Sequence, residues 1–392
     1  MFRRFPKITR FLIYYFSSLL LIYLIEHVLS SQTFLQVFNL NQNLTSDIHL
    51  NDIYYRKHSA SGDSYMKDEK KVILVNIQEI PFSVEGREMY VKLLNKLIDY
   101  NSAAIGVDIT FSKTQKDVFQ SVKNNPKIIF ANQNSSSDIS FPNNGDIRFP
   151  QIGDQEQQSI RYYKNDENSF GAKLVKAANF KFNRRIGDSE NFIIHYNSYH
   201  AGLCHLTNYD EFNYVKKYQF LNASEVLDDS LNNWKAEFDG KIVIIGYLGD
   251  RSHSNADFDI EDKKQVPVDT SKLVNRMPVM FGAVVHANAI STILNDEFHF
   301  YIVSDGTILF VNLIIFAIYL YILLFKNLGK LFNLLILFLM TLPILFLIFF
   351  LMECGIYYLF GGTLLALLVI EEFYEIIEPF EHKYLSKYYK NE

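Results

Sequence analysis

The chain has 392 residues, of which 49% are hydrophobic and 21% charged, with a formal net charge of −5 at pH 7. That length suits one sizeable domain with extra elements, or two modest domains. The mild acidity, without a stripe of Lys and Arg interleaved with aromatics, gives nucleic-acid binding little support. Cys204 and Cys354 lie far apart, which excludes a disulfide framework.

Residues 1–10 carry Arg3, Arg4, Lys7 and Arg10 and read as a cytoplasmic N-terminus. The run FLIYYFSSLLLIYLI follows. A helix needs about 20 mostly apolar residues to cross the hydrocarbon core, so residues 11–29 read as a transmembrane anchor. The same stretch fits a cleaved signal peptide, with Val28-Leu29-Ser30 as the cleavage triplet. We favour the anchor, and in either case the next residues face outward.

In the outward-facing part, residues 31–300, KVILVNI (71–77) is an apolar run of strand length. In REMYVKLLNKLIDY the residues Tyr90, Leu93, Leu94, Leu97 and Ile98 recur at helical spacing. AAIGVDITF (103–111) predicts a second buried strand, which completes a βαβ unit and implies parallel pairing. KIIFAN (127–132) predicts a third. Residues 133–168 are rich in Asn, Ser, Asp and Gln and read as a long surface excursion. SFGAKLVKAANF then predicts a helix, ENFIIHYN a strand and ASEVLDD a short helix. GKIVIIGYLGD (240–250) is the plainest strand, residues 251–279 a polar loop, and MFGAVVHANAISTIL (280–294) a closing helix. Alternating strands and helices predict an α/β domain with a mainly parallel sheet.

Three further apolar segments follow at 306–325, 331–352 and 354–370, so the predicted fold adds four transmembrane helices, one N-terminal and three C-terminal. Lys326 and Lys330 fill the turn between the second and third spans. Positive flanks stay on the cytoplasmic side, which puts both termini and the tail, residues 371–392, in the cytoplasm. The expected location is the bacterial inner membrane, with lipids as partners. No acidic or basic residue sits mid-membrane, which argues against ion transport.

No nucleophile elbow, Walker loop, H-E-x-x-H pair, C-x-x-C or G-x-G-x-x-G after a strand is present. The expectation is a non-enzymatic protein without cofactor or resident metal. In open parallel sheets ligands bind beyond the carboxyl ends of the strands. Asp108 stands late in its strand and Asp250 just past the 241–247 strand, with Asp257 and Asp262 in the next loop. These four carboxylates form the candidate ligand site, for a cation or a basic molecule. The competing readings are a solvated loop and, for Asp108, a cap on backbone N–H groups.

His286 and Asn288 are two positions apart on the closing helix, about 200° around it, so they cannot form a catalytic pair. The expected state of His286 is neutral, tied to a backbone carbonyl of the sheet. Gly282, Ala283, Ala287 and Ala289 suit close helix-to-sheet packing. Gly282, His286 and Asn288 therefore read as structural or transmitting residues.

The ordered set VILVNIQE, Arg87 ahead of the first helix, GVDITF, SFGAKLVKA, IIHYN, ASEVL, GKIVIIGYLGD, DIEDK with Pro267, and FGAVVHANAI resembles the CHASE family of extracytoplasmic sensors, specifically its second type, CHASE2. The resemblance covers about residues 72–294. It implies a sensor domain held by one membrane helix ahead of it and three behind. Three positions depart from the family: Asn76 and Gln78 stand where acidic residues are frequent, and His195 where asparagine is usual. The segment 371–392 is also too short for the fused catalytic or kinase module common in the family. The implied function is a stand-alone sensor that detects an unknown extracytoplasmic ligand and relays it to a separate signalling partner. The alternative is an envelope assembly factor whose ectodomain is a protein-docking surface.

Overall fold

A computed structural model describes, in the main, residues 11–20, 69–77, 84–109, 119–132, 143–147, 151–156, 160–180, 191–196, 218–228, 234–248, 263–266, 280–295, 301–326 and 335–357, with breaks inside several of these stretches. The chain divides into two compact units, residues 55–300 and residues 1–54 with 301–392.

The first unit is built on a six-stranded sheet. β1 (Glu69–Asn76) leads through α1 (Val84–Asp99) to β2 (Ala104–Asp108), then β3 (Ile128–Asn132) and β4 (Asn144–Asp146). β5 (Gln151–Ile152) and β6 (Gln155–Glu156) form a short antiparallel pair. β7 (Tyr162–Lys164), α2 (Phe170–Ala177) and β8 (Asn191–Ile193) follow. β9 (Tyr218–Asn222) runs straight into α3 (Ala223–Leu227), and α4 (Lys235–Phe238) precedes β10 (Ile242–Gly246). β11 (Lys263–Lys264), β12 (Met280–Phe281) and α5 (Gly282–Leu294) close the unit. The strand order is β4-β3-β2-β10-β1-β9, and every pairing in that sheet is parallel.

Period-two alternation sends successive side chains to opposite faces, and a parallel sheet is buried on both. Ile73, Val75, Ile105, Val107, Val243 and Ile245 form one face, packed with Tyr90, Leu93, Leu94 and Leu97 of α1. The helical spacing of those four residues thus marks the buried side of α1. The opposite face receives α2 and α5, and there glycines replace side chains. A Cβ on Gly106 would lie 2.7 Å from Leu174 Cδ1, and one on Gly246 2.8 Å from Ala283 Cβ. All 13 residues of α5 are buried, which is why it lacks a polar stripe.

Four expectations change. The polar excursion at 133–168 holds β4, which extends the main sheet, and β7. The strand within ENFIIHYN is β8, yet it pairs antiparallel with β7 instead of joining the main sheet. β9, an edge strand, has no counterpart in the sequence reading. Arg87 belongs to the first turn of α1, not ahead of it.

In the second unit, residues 14–18 are helical and α6 spans Asp305–Lys326. Phe316, Tyr319 and Leu320 are buried, while Phe310, Ile314, Ile318 and Tyr321 are exposed. Tyr15 meets Phe316 edge-on, with ring centroids 5.3 Å apart. β13 (Tyr301–Ile302) pairs in parallel with β14 (Ile356–Tyr357), so the segment expected to be helical from 354 starts extended. Among the described residues no helix is long and apolar enough to cross a membrane. α6 has 22 residues, but the unbroken run of described side chains within it covers only 310–322.

Candidate functional site

The register brings the carboxyl ends of the strands to one edge. Asn76 stands opposite Gly246 and Asn222, Gly246 opposite Asp108, and Asn132 opposite Asp146. α2 and α5 start at this edge: a Cβ on Gly145 would sit 2.6 Å from Phe170 Cα, and Gly246 abuts Ala283. It is the edge at which parallel α/β sheets hold ligands.

Its two halves are wired differently. On the β9 side, Asn76 donates through Nδ2 to Asn222 Oδ1 (3.4 Å) and accepts from the Leu248 N–H at Oδ1 (3.0 Å). Asn222 also caps α3 in a reciprocal box with Glu225. This corner joins β9, β1 and the exit of β10. An amide at position 76 can donate and accept at once, which a carboxylate cannot.

On the β4 side, β7 sends two neighbouring side chains to the site. Lys164 Nζ pairs with Asp146 Oδ2 at 2.8 Å, both partly buried. The Tyr163 hydroxyl accepts from the Gly171 N–H in the first turn of α2 (3.0 Å) and lies 2.9 Å from His286 Nδ1 on α5. The phenol oxygen is thus shared between the α2 backbone and the imidazole. The Phe170 and Tyr163 rings meet the imidazole edge-on, with centroids at 5.2 and 5.7 Å.

Burial, with a smaller contribution from the Lys264 charge, pushes the His286 imidazole down to about 3. Burial raises the Tyr163 phenol, the Gly171 N–H opposes this, and the charges of Asp108 and Asp146 add to it. A neutral, dry phenol–imidazole pair is therefore flanked by two carboxylates of the sheet edge.

Asp108 is placed at the carboxyl edge as expected. Asp250, Asp257 and Asp262 lie outside the described residues. The ends of their loop are located: Leu248 follows β10, and Lys263 pairs with Phe281 at the start of α5. Gly282 is the first residue of α5. His286 is neutral as expected, and its Nδ1 lies 2.9 Å from the Tyr163 phenol of β7. Asn288 points elsewhere. It accepts from Tyr218 OH of β9 (3.2 Å) and donates to Val284 O (2.9 Å), so the two polar residues of α5 tie it to different elements. Among the described residues no group of His, Cys, Asp and Glu could hold a metal ion.

The sequence reading missed Tyr163, Lys164, Asp146 and Phe170. The available signal was aromatic density in RYYKNDENSFG, within an otherwise polar stretch, just ahead of Ser169. That serine caps α2, accepting from the Ala172 N–H at 3.4 Å.

The CHASE2 domain model matches residues 20–324. The chain belongs to the CHASE2 family. The match contains the whole six-stranded sheet, the carboxyl-edge residues, α5 and most of α6. No curated protein and no solved structure is matched. CHASE2 is an extracytoplasmic sensor domain, so a sensing role attaches to the α/β unit just described.

The buried imidazole gives this CHASE2 domain a definite pH response. His286 titrates near 6.5 when unfolded and near 3 when folded, so below pH 6.5 the unfolded state binds the extra proton. Stability is fully present above that value and falls as pH drops towards 3, by up to about 1.4 kcal/mol per unit from this group. His286→Gln, which keeps an acceptor for Tyr163, is expected to flatten the slope between pH 4 and 6.5. Denaturant midpoints of both proteins across that range measure it.

Proposed function

We propose that the carboxyl edge of the CHASE2 sheet receives an extracytoplasmic ligand and that α5 passes the resulting bias to the membrane-embedded part of the chain, for delivery to a separate signalling partner. The observation that carries this reading is the position of α5. It is buried along its whole length, it starts at the ligand-binding edge, and the chain continues from it through residues 295–304 into α6. A rigid helix with one end at a site is a physical element that binding can bias.

The membrane reading places spans at 11–29, 306–325, 331–352 and 354–370, residues 31–300 outside and both termini in the cytoplasm of a bacterial inner membrane. It is supported by where apolar side chains are exposed. Among the described residues, the exposed large hydrophobic side chains run from Leu12 to Leu20 and from Phe310 to Phe350, and none falls in residues 55–300. Exposed apolar surface of that extent marks contact with a non-aqueous medium or a partner. The reading is non-enzymatic: Tyr163 and His286 are each 2% exposed and are hydrogen-bonded to one another.

Crosslinking from residues 371–392 in native membranes, followed by mass spectrometry, tests the relay. A signalling or regulatory protein captured there is the expected result. Envelope-assembly proteins captured solely through residues 31–300 would replace the relay with a docking role.

A further inference from the structure

The antiparallel pair of β7 and β8, which brackets α2 in the chain, stands outside the six-stranded sheet, yet it touches the parts of the domain that matter most for the relay. Lys164 binds Asp146 at the carboxyl edge. Its neighbour Tyr163 holds the first turn of α2 and the second turn of α5 through one oxygen atom. Further along the chain, the Tyr196 hydroxyl donates to Ile160 O at 2.6 Å and fixes the entry to β7.

From this juxtaposition we infer that Tyr163 is a latch between β7 and α5: displacement of β7 at the carboxyl edge breaks the Tyr163–His286 bond and releases the first half of α5. The inference rests on the reading of α5 as the outlet of the sensor.

Three features make the contact act as a latch rather than as general packing. One oxygen atom serves both Gly171 and His286, so one displacement opens both bonds together. The pair is buried, with Phe170 and Phe192 against the two rings, and a buried polar contact there is either made or costly. Finally, Asn288 holds α5 to Tyr218 of β9 independently of β7. Release is therefore confined to the turns ahead of Asn288, while the rest of the helix keeps its seat on the sheet.

Hydrogen exchange on the full chain in lipid nanodiscs tests the latch. Tyr163→Phe keeps the ring and removes the oxygen. Exchange over residues 282–287 is expected to quicken by about tenfold, with β1, β2 and β10 unchanged. In the same variant, the Nδ1 resonance of selectively 15N-labelled His286 is expected to shift to that of a nitrogen without this hydrogen bond, whereas a purely packing role for the tyrosine would leave it in place. Lys164→Met frees β7 from Asp146 and is expected to quicken exchange in β7 and in 282–287 together. In the Tyr163→Phe background the same change is expected to act on β7 alone.

A uniform rise across the domain, or a Lys164→Met effect on α5 that persists without the Tyr163 hydroxyl, would overturn the latch. Should Tyr163→Phe fail to fold, Lys164→Met alone decides: quickening of β7 without 282–287 overturns the proposal. Exchange in α6 separates the two ideas. Quickening in 282–287 with α6 unmoved leaves the latch standing and removes the relay.

Discussion

Truncation of Phe170 to alanine is expected to destabilise the CHASE2 domain by about 4 kcal/mol. The ring is fully buried and fills space that three elements leave open. Its Cζ lies where a Cβ on Gly106 would be 2.8 Å away, its backbone crosses Gly145, and its edge meets His286. Nothing nearby is free to collapse into the void, because β2 and β4 present glycine at that height. For a domain of this size the unfolding midpoint should fall by about 10 °C, read by thermal denaturation in detergent. The two glycines then respond differently in the Phe170→Ala background. Gly106→Ala conflicts only with side-chain tips, those of Leu174 and Phe170, so part of its cost should disappear. Gly145→Ala conflicts with the Phe170 backbone at 2.6 Å and should stay as damaging as before.

Gly246→Val is expected to cost about 3 kcal/mol and to lift the start of α5 from the sheet. The first atom met is Ala283 Cβ, at 2.8 Å from the position of the new Cβ. That atom is fixed to the helix backbone and cannot rotate away. The helix itself cannot retreat, since Ala283 and its neighbours are buried on every side. Gly246→Ala meets the same atom, and combining it with Ala283→Gly exchanges one methyl group for another and should recover most of the loss of Gly246→Ala alone. Equal instability of the single and double variants would show that Gly246 is required for its backbone and not for space.

The core of the fold could be read from the chain because its signals are strong where burial is complete. KVILVNI, GVD and KIVIIG are apolar on both faces, as central parallel strands must be, and they became β1, β2 and β10. α1 and α5 were legible from spacing and from small residues. The edges were not. β4 is Asn144-Gly145-Asp146, three residues without strand preference, recruited because Gly145 lets α2 lie directly against the chain. β9 reads YQFLN, too short and mixed to announce itself. The place of Asp108 at the carboxyl end of β2 was legible because position in a strand implies a location. Tyr163 was missed because its role depends on a histidine 123 residues away, a relation that no local pattern encodes.

The place of β10 between β1 and β2 has a consequence for biogenesis. The sheet has two parts, β9-β1 and β2-β3-β4, and β10 alone joins them. It enters the chain more than a hundred residues after β2. Until residue 246 is available to pair, β1 and β2 each expose an apolar, unpaired edge, the kind of surface that invites wrong pairing. Pairing across so large a sequence separation is slow. A chain cut before β10 would leave two half-sheets with no strand to close them.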